Sequence, residues 1–278
     1  MTDPSPTDPS IEPAPAEPPS GVPLPERRPP VLGPEAAGTF LGRWVNRTLR
    51  EGVLTSGALL FTIPYFRLLN QVHVQGDEVL DTLPRRNVIF VSNHQTYFLE
   101  AIAFFDLVYL RHEFPLDDPV LRFSAAEETM RMNPLTWLMK VAGGVTLKRR
   151  YRDAGQSVNR PVDLEGIRRV IEAIHGGWLL HFPTGTTKRG APVRPGMARL
   201  LHDARAIVVP VRVGGFRRLL FFKQVPGRLF RRCRISVRQP MDLGAFYDAP
   251  FTDEAGEAVR LRIENEIYGR NMAPPDGA

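Results

Sequence analysis

The sequence predicts an α/β fold: a mixed, mainly parallel sheet flanked by helices, preceded by an N-terminal helical segment. Apolar, β-branched runs of strand length recur at residues 72–74, 87–91, 121–124, 144–147, 178–182, 207–213 and 233–237. Helical patterns at 97–109, 134–141, 162–175, 196–204 and 253–267 fall between or after them. Strands separated by helices imply βαβ units, and so a largely parallel sheet. A chain of 278 residues with 43% hydrophobic content can build one large core of this kind, and no internal repeat is present.

Residues 1–34 are rich in proline, serine and acidic residues without an apolar pattern, and read as a disordered Pro-rich tail. Residues 35–70 turn helical. Phe40, Leu41, Trp44, Val45, Thr48 and Leu49 recur at helical spacing, and Leu54, Leu59, Leu60, Phe61, Ile63, Phe66 and Leu68 form a second, more apolar segment. Arg43, Arg47, Arg50 and Arg67 are interspersed. This is the pattern of a membrane-associating helical pair, apolar side down and arginines near headgroups. A helical pair packed on the main domain fits it equally. The best apolar stretch, 53–65, is shorter than the roughly 20 residues that span a bilayer, and Pro64 interrupts it, so no span is expected. The main domain covers 71–270, and 271–278 form a flexible C-terminal tail.

Net charge is +6 and the pI is about 9.8, with arginine in excess, which favours anionic partners such as lipid headgroups, phosphorylated substrates or nucleic acid. Cys233 is the only cysteine, which rules out an intramolecular disulfide and a cysteine-rich zinc site. The six histidines lack metal-ligand spacing, so no metal is expected. The N-terminus has neither the basic nor the apolar region of a secretory signal.

The densest chemistry lies at 88–100, Val-Ile-Phe-Val-Ser-Asn-His-Gln-Thr-Tyr-Phe-Leu-Glu. It reads as a buried strand, a short turn and a helix start, with His94 in the turn and Glu100 close enough to orient it. Ends of parallel strands are where α/β folds place their chemistry, and a carboxylate-held histidine is a general base near neutral pH. The competing reading of His94 is a solvated or capping turn residue. Residues 143–150 form a tight turn, a strand and a basic cluster containing Arg149, either an anion contact or a solvated surface run. Residues 178–190 form a buried strand ending in Phe182-Pro183. The loop Thr184, Gly185, Thr186, Thr187, Lys188, Arg189 follows and offers backbone amides, hydroxyls and two cations to a phosphate. The alternative is an ordinary polar turn. Arg194 and the strand Val209-Pro210-Val211 come next.

Four such segments in this order resemble the glycerolipid acyltransferase family, of the lysophosphatidate acyltransferase type. The family shows an Asn-His motif with a downstream acid, a Gly…Arg strand motif, a Phe-Pro-Glu-Gly-Thr-Arg loop and a Val-Pro strand. The matches are Asn93-His94…Glu100, Gly143…Arg149, Phe182-Pro183-Thr184-Gly185-Thr186 and Val209-Pro210-Val211, spanning about residues 70–240. Two departures stand out. The family spacing H-x4-D falls here on Leu99, and the acid is Glu100, one residue later; Asp106 is a more distant alternative. In the loop, Thr184 replaces the family Glu and Thr187 the Arg, with Lys188 and Arg189 following.

The resemblance implies direct acyl transfer from an acyl thioester (acyl-CoA or acyl-ACP, acyl carrier protein) to a lysolipid hydroxyl, most simply that of 1-acyl-glycerol-3-phosphate. His94 would be the base and Glu100 its orienting acid, with no cofactor. Asn93, Arg149, Thr184, Gly185, Thr186, Thr187, Lys188, Arg189 and Arg194 would bind substrate. The Gly185 and Thr186 amides would stabilise the oxyanion or hold the headgroup. An anionic membrane surface is the implied partner, on the cytoplasmic side of the cell membrane and peripherally bound. A non-glycerophosphate acceptor such as an aminolipid, a thioesterase using the same base on water, and a non-catalytic basic lipid- or nucleic-acid-binding protein are the alternatives. The last leans on Arg217, Arg218, Lys223, Arg228, Arg231, Arg232 and Arg234, which show no RNA-binding motif, so no nucleic-acid partner is expected.

Overall fold

The computed structural model describes residues 40–96, 98–127, 130, 134–148, 152–153, 156–157, 162–218 and 232–269. The expectations for 1–34, Arg149 and 271–278 lie outside these residues.

Helix α1 (Phe40–Gly57) runs on through π-helical turns at Ala58–Thr62 and Pro64–Leu69. Ile63 between them keeps helical angles, so the expected pair is one continuous helix. Proline lacks an N–H and its ring crowds the carbonyl four residues back. Wider i→i+5 turns around Pro64 carry the helix past this defect rather than ending it there. Asn46–Leu69, 24 residues, is therefore long and apolar enough to cross a membrane, unlike the shorter stretch that the sequence suggested. At 1.5 Å per residue it reaches about 36 Å.

One face of this helix is fastened to the domain. Tyr65 and Phe66 are buried in the core, and Phe66 meets Phe216 edge-on at 6.4 Å. The buried Arg50 donates to the carbonyls of Leu116 (2.5 Å) and Leu121 (3.3 Å) and to the Tyr109 hydroxyl (3.1 Å). The other face leaves Leu59, Leu60 and Leu68 61%, 82% and 72% exposed.

The remaining elements follow in order: β1 (Gln71–Gln75), α2 (Val79–Thr82), β2 (Val88–Ser92), α3 (Leu99–Phe105, with a π-helical extension Asp106–Arg111), β3 (Leu121–Ala126), α4 (Pro134–Val141), β4 (Gly144–Leu147), the short hairpin β5 (Arg152–Asp153) and β6 (Gln156–Ser157), α5 (Leu164–His175), β7 (Trp178–His181), α6 (Gly196–Ala204), β8 (Ile207–Gly214), β9 (Arg232–Val237), α7 (Gly244–Asp248) and α8 (Asp253–Tyr268). Among the described residues, seven strands form one sheet in the order β1-β9-β8-β2-β7-β3-β4. Every neighbouring pair is parallel except β8 with β9, as a mixed, mainly parallel sheet requires.

Strand β2 is buried at every position, as its unbroken apolar run demands of a central parallel strand. Phe90 and Trp178 point to one face with Phe104 of α3, whereas Ile89, Val91 and Leu179 point to the other, toward α5, α6 and α8. Helix α5 is capped by Asp163, which accepts from the Gly166 N–H at 3.0 Å. Helix α8 is capped by Thr252 and stops at Gly269, in left-handed conformation at φ +66°. Because β7 and β8 flank β2 in parallel, the C-terminal ends of all three meet on one edge of the sheet.

Candidate active site

His94 sits just past the end of β2 on that edge. Its Nδ1 is 3.0 Å from Oε1 of Glu100, and its ring stacks on Phe182, just past the end of β7, with centroids 4.2 Å apart. The histidine side chain is 15% exposed and that of Glu100 only 1%. The later position of the acid is absorbed by the turn. Residues 93–96 and Phe98 are not helical, α3 begins at Leu99, and the Glu100 carboxylate folds back over the turn. Its Oε1 accepts the N–H groups of Gln95 (2.5 Å) and Thr96 (2.8 Å), and its Oε2 accepts the Thr96 hydroxyl. Burial alone would raise this carboxyl, but the bonds and charge of His94 together with the Thr96 donors outweigh it and hold it below the usual glutamate range. An ionised Glu100 places the imidazole proton on Nδ1 and leaves Nε2 as the acceptor. Asp106 does not compete for this role. It is buried against Arg67 (3.7 Å) and Arg111 (3.2 Å), and so ties the end of the N-terminal helix to α3.

Asn93 and Gln95 bracket the histidine, and both are committed to backbone. The Asn93 amide donates to the Val213 carbonyl at 2.9 Å and accepts the Val213 N–H at 2.8 Å. Gln95 donates to the same carbonyl at 2.8 Å and accepts the Phe216 N–H at 3.0 Å. Asn93, expected on substrate, therefore holds the end of β8 beside the turn. Gln95 was not singled out in the sequence, because its partners lie 118 and 121 residues away.

The 182–194 loop lies beside this turn, joined to it through Phe182. Gly185 has φ +60°, and a Cβ there would fall 2.7 Å from Nε of Arg194. Its N–H donates to Phe182 O (3.0 Å), and the Thr186 N–H faces the buried Thr184 hydroxyl at 3.5 Å. In this structure the two amides expected at an oxyanion or a headgroup face partners within the loop itself. Arg194 donates from Nε to Thr184 O (3.2 Å) and from its backbone to Pro183 O (3.0 Å). Lys188 and Arg189 are exposed, and Thr187 is half-buried. A cation that the sequence reading left in the surface tract reaches this loop instead: Arg217 donates through Nη2 to the Thr187 carbonyl.

Other reactive groups nearby are quiet. Burial and the Glu100 charge push the Cys233 thiol up to about 12, which keeps it neutral. His181 bonds Ser124 at 2.7 Å, and burial pushes it down to about 4. Among the described residues, no group of three or more His, Cys, Asp or Glu side chains is placed to hold a metal ion.

A buried acid orienting a histidine at the carboxyl edge of a mainly parallel sheet is the arrangement of an acid–base transfer enzyme. The family model for acyltransferases matches residues 71–214, and the chain belongs to that family. Its fold is similar to the crystal structure of the 1-acyl-sn-glycerophosphate (LPA) acyltransferase PlsC from Thermotoga maritima. The two are 19% identical, with a TM-score of 0.53 over 82% of this chain and 83% of that one. No curated protein sequence matches the chain.

Proposed function

We propose that this protein transfers an acyl group from acyl-CoA or acyl carrier protein to the hydroxyl of a lysolipid, with 1-acyl-glycerol-3-phosphate the leading acceptor. The His94–Glu100 pair at 3.0 Å carries the reading. Nε2 takes the proton of the acceptor hydroxyl as its oxygen attacks the thioester carbonyl. Glu100, fixed by the Gln95 and Thr96 donors, stabilises the imidazolium that forms. The tetrahedral intermediate collapses with loss of the thiolate, and the proton on His94 passes to that sulfur. The reaction needs no further cofactor.

A lysolipid resides in a bilayer, so the enzyme docks there. The exposed Leu59, Leu60 and Leu68 supply the apolar contact. The Arg50 bonds and the buried Tyr65 and Phe66 favour a helix lying along the domain at the membrane surface, on the cytoplasmic side where acyl thioesters are made. The test is incubation of the full chain with acyl thioester and a panel of lysolipids, read by mass spectrometry. An acylated lysolipid that depends on His94 supports the reading. Thioester loss at the same rate without acceptor would make the enzyme a thioesterase.

A further inference from the structure

The outer strands of the sheet carry charge that the transfer chemistry does not use. In β1, β9 and β8, Val72, Cys233, Ile235 and Val213 point into the core that also holds Phe66 of the N-terminal helix. Side chains alternate along a strand, so Gln71, His73, Arg232, Arg234 and Arg212 emerge on the reverse face, and all five are exposed. The register sets Gln71 beside Arg232 and His73 beside Arg234, with Arg212 beside Ser236. Among the described residues, no carboxylate pairs with Arg212, Arg232 or Arg234. The sequence itself has no Asp or Glu from 204 to 241, so the stretch leading into β9 has no acid to neutralise them. This face also reaches the catalytic edge. Strand β9 runs antiparallel to β8, which places Arg234 opposite Gly214. Gly214 follows Val213, whose carbonyl accepts from Asn93 and Gln95 on either side of His94.

We infer that the Arg232–Arg234 face docks an acidic acyl carrier protein, which delivers its thioester at that edge. This rests on the acyltransferase reading above and chooses between its two donors. A nucleotide such as coenzyme A calls for a concave site, whereas these arginines stand on an open sheet face. The bilayer is engaged from the other side. The N-terminal helix packs on the opposite face of the sheet through Phe66, so on the proposed docking the arginines look away from the membrane into solvent. An unpaired cationic surface turned to solvent complements a soluble partner of opposite sign.

The double change Arg232→Glu with Arg234→Glu, in the full chain, is expected to raise KM for palmitoyl acyl carrier protein by about tenfold or more, because like charges then meet. KM for palmitoyl-CoA and flotation with anionic liposomes should each stay within about twofold. Arg232→Gln with Arg234→Gln should fall between. An unchanged carrier KM in the folded Glu variant would overturn the assignment. Equal rises for both donors would overturn it in favour of coenzyme A, and lost flotation would give the face to the bilayer. Should both variants unfold, hydrogen exchange on the unaltered enzyme decides: apo carrier protein must slow exchange in β1 and β9, and no protection there overturns the inference. If the wild-type enzyme accepts palmitoyl-CoA but not the carrier-borne thioester, the acyltransferase reading stands and this inference alone falls. If it acylates no lysolipid from either donor, the parent reading fails.

Discussion

In the proposed mechanism each ring nitrogen of His94 has its own task, and the two are separable by mutation. His94→Ala removes the proton acceptor and should lower acyl transfer by about 100-fold or more in a steady-state assay, with unchanged circular dichroism. Glu100→Gln keeps a side chain able to accept from Gln95 and Thr96 but loses the charge that stabilises the imidazolium, so the loss should be smaller. Full activity in His94→Ala would remove the base from the mechanism. His181 makes a different prediction. Its ordinary pKa of 6.5 is pushed down to about 4 by burial. As pH falls below 6.5 the unfolded chain binds a proton that the folded chain refuses, so this residue should erode stability progressively down to about pH 4. Thermal melts across that range should fall less steeply in His181→Gln; an identical slope would show that other groups set it. His94 and Glu100 were legible in the sequence because six positions separate them. Arg217 was not, because its partner Thr187 lies 30 residues away and nothing in a single sequence pairs an arginine with a distant carbonyl.

The strands were legible for the physical reason that buried parallel strands read as continuous apolar runs, and β2, β7 and β8 fall within a residue or two of where those runs lie. The N-terminal helix was harder. Pro64 looked like a break, whereas local π turns let the helix continue. The exposed side of that helix yields a direct test. Leu59 and Leu60 do not support the core, so changing both to Glu should leave the melting temperature nearly unchanged. Each leucine fully removed from water contributes about 2 kcal/mol, so the double change should sharply reduce flotation with liposomes. Undiminished flotation would move the contact to another surface.

The molecule as a whole carries net charge +6, and in the proposed docking long-range attraction adds to the apolar contact. Raising salt from about 0.05 M to about 0.5 M should therefore weaken binding to anionic liposomes without abolishing it, whereas neutral liposomes should show little salt dependence. Binding that vanishes with salt would leave no role for the leucine face. The sheet order has a consequence in time. Strand β1 directly follows the long apolar helix, yet its neighbour in the sheet is β9, the last of the described strands to be made. Throughout synthesis the ribosome thus holds out an unpaired strand joined to an uncovered greasy rod. On the proposed docking, the rod can find a bilayer well before the sheet can close, so delivery to the membrane would precede completion of the domain.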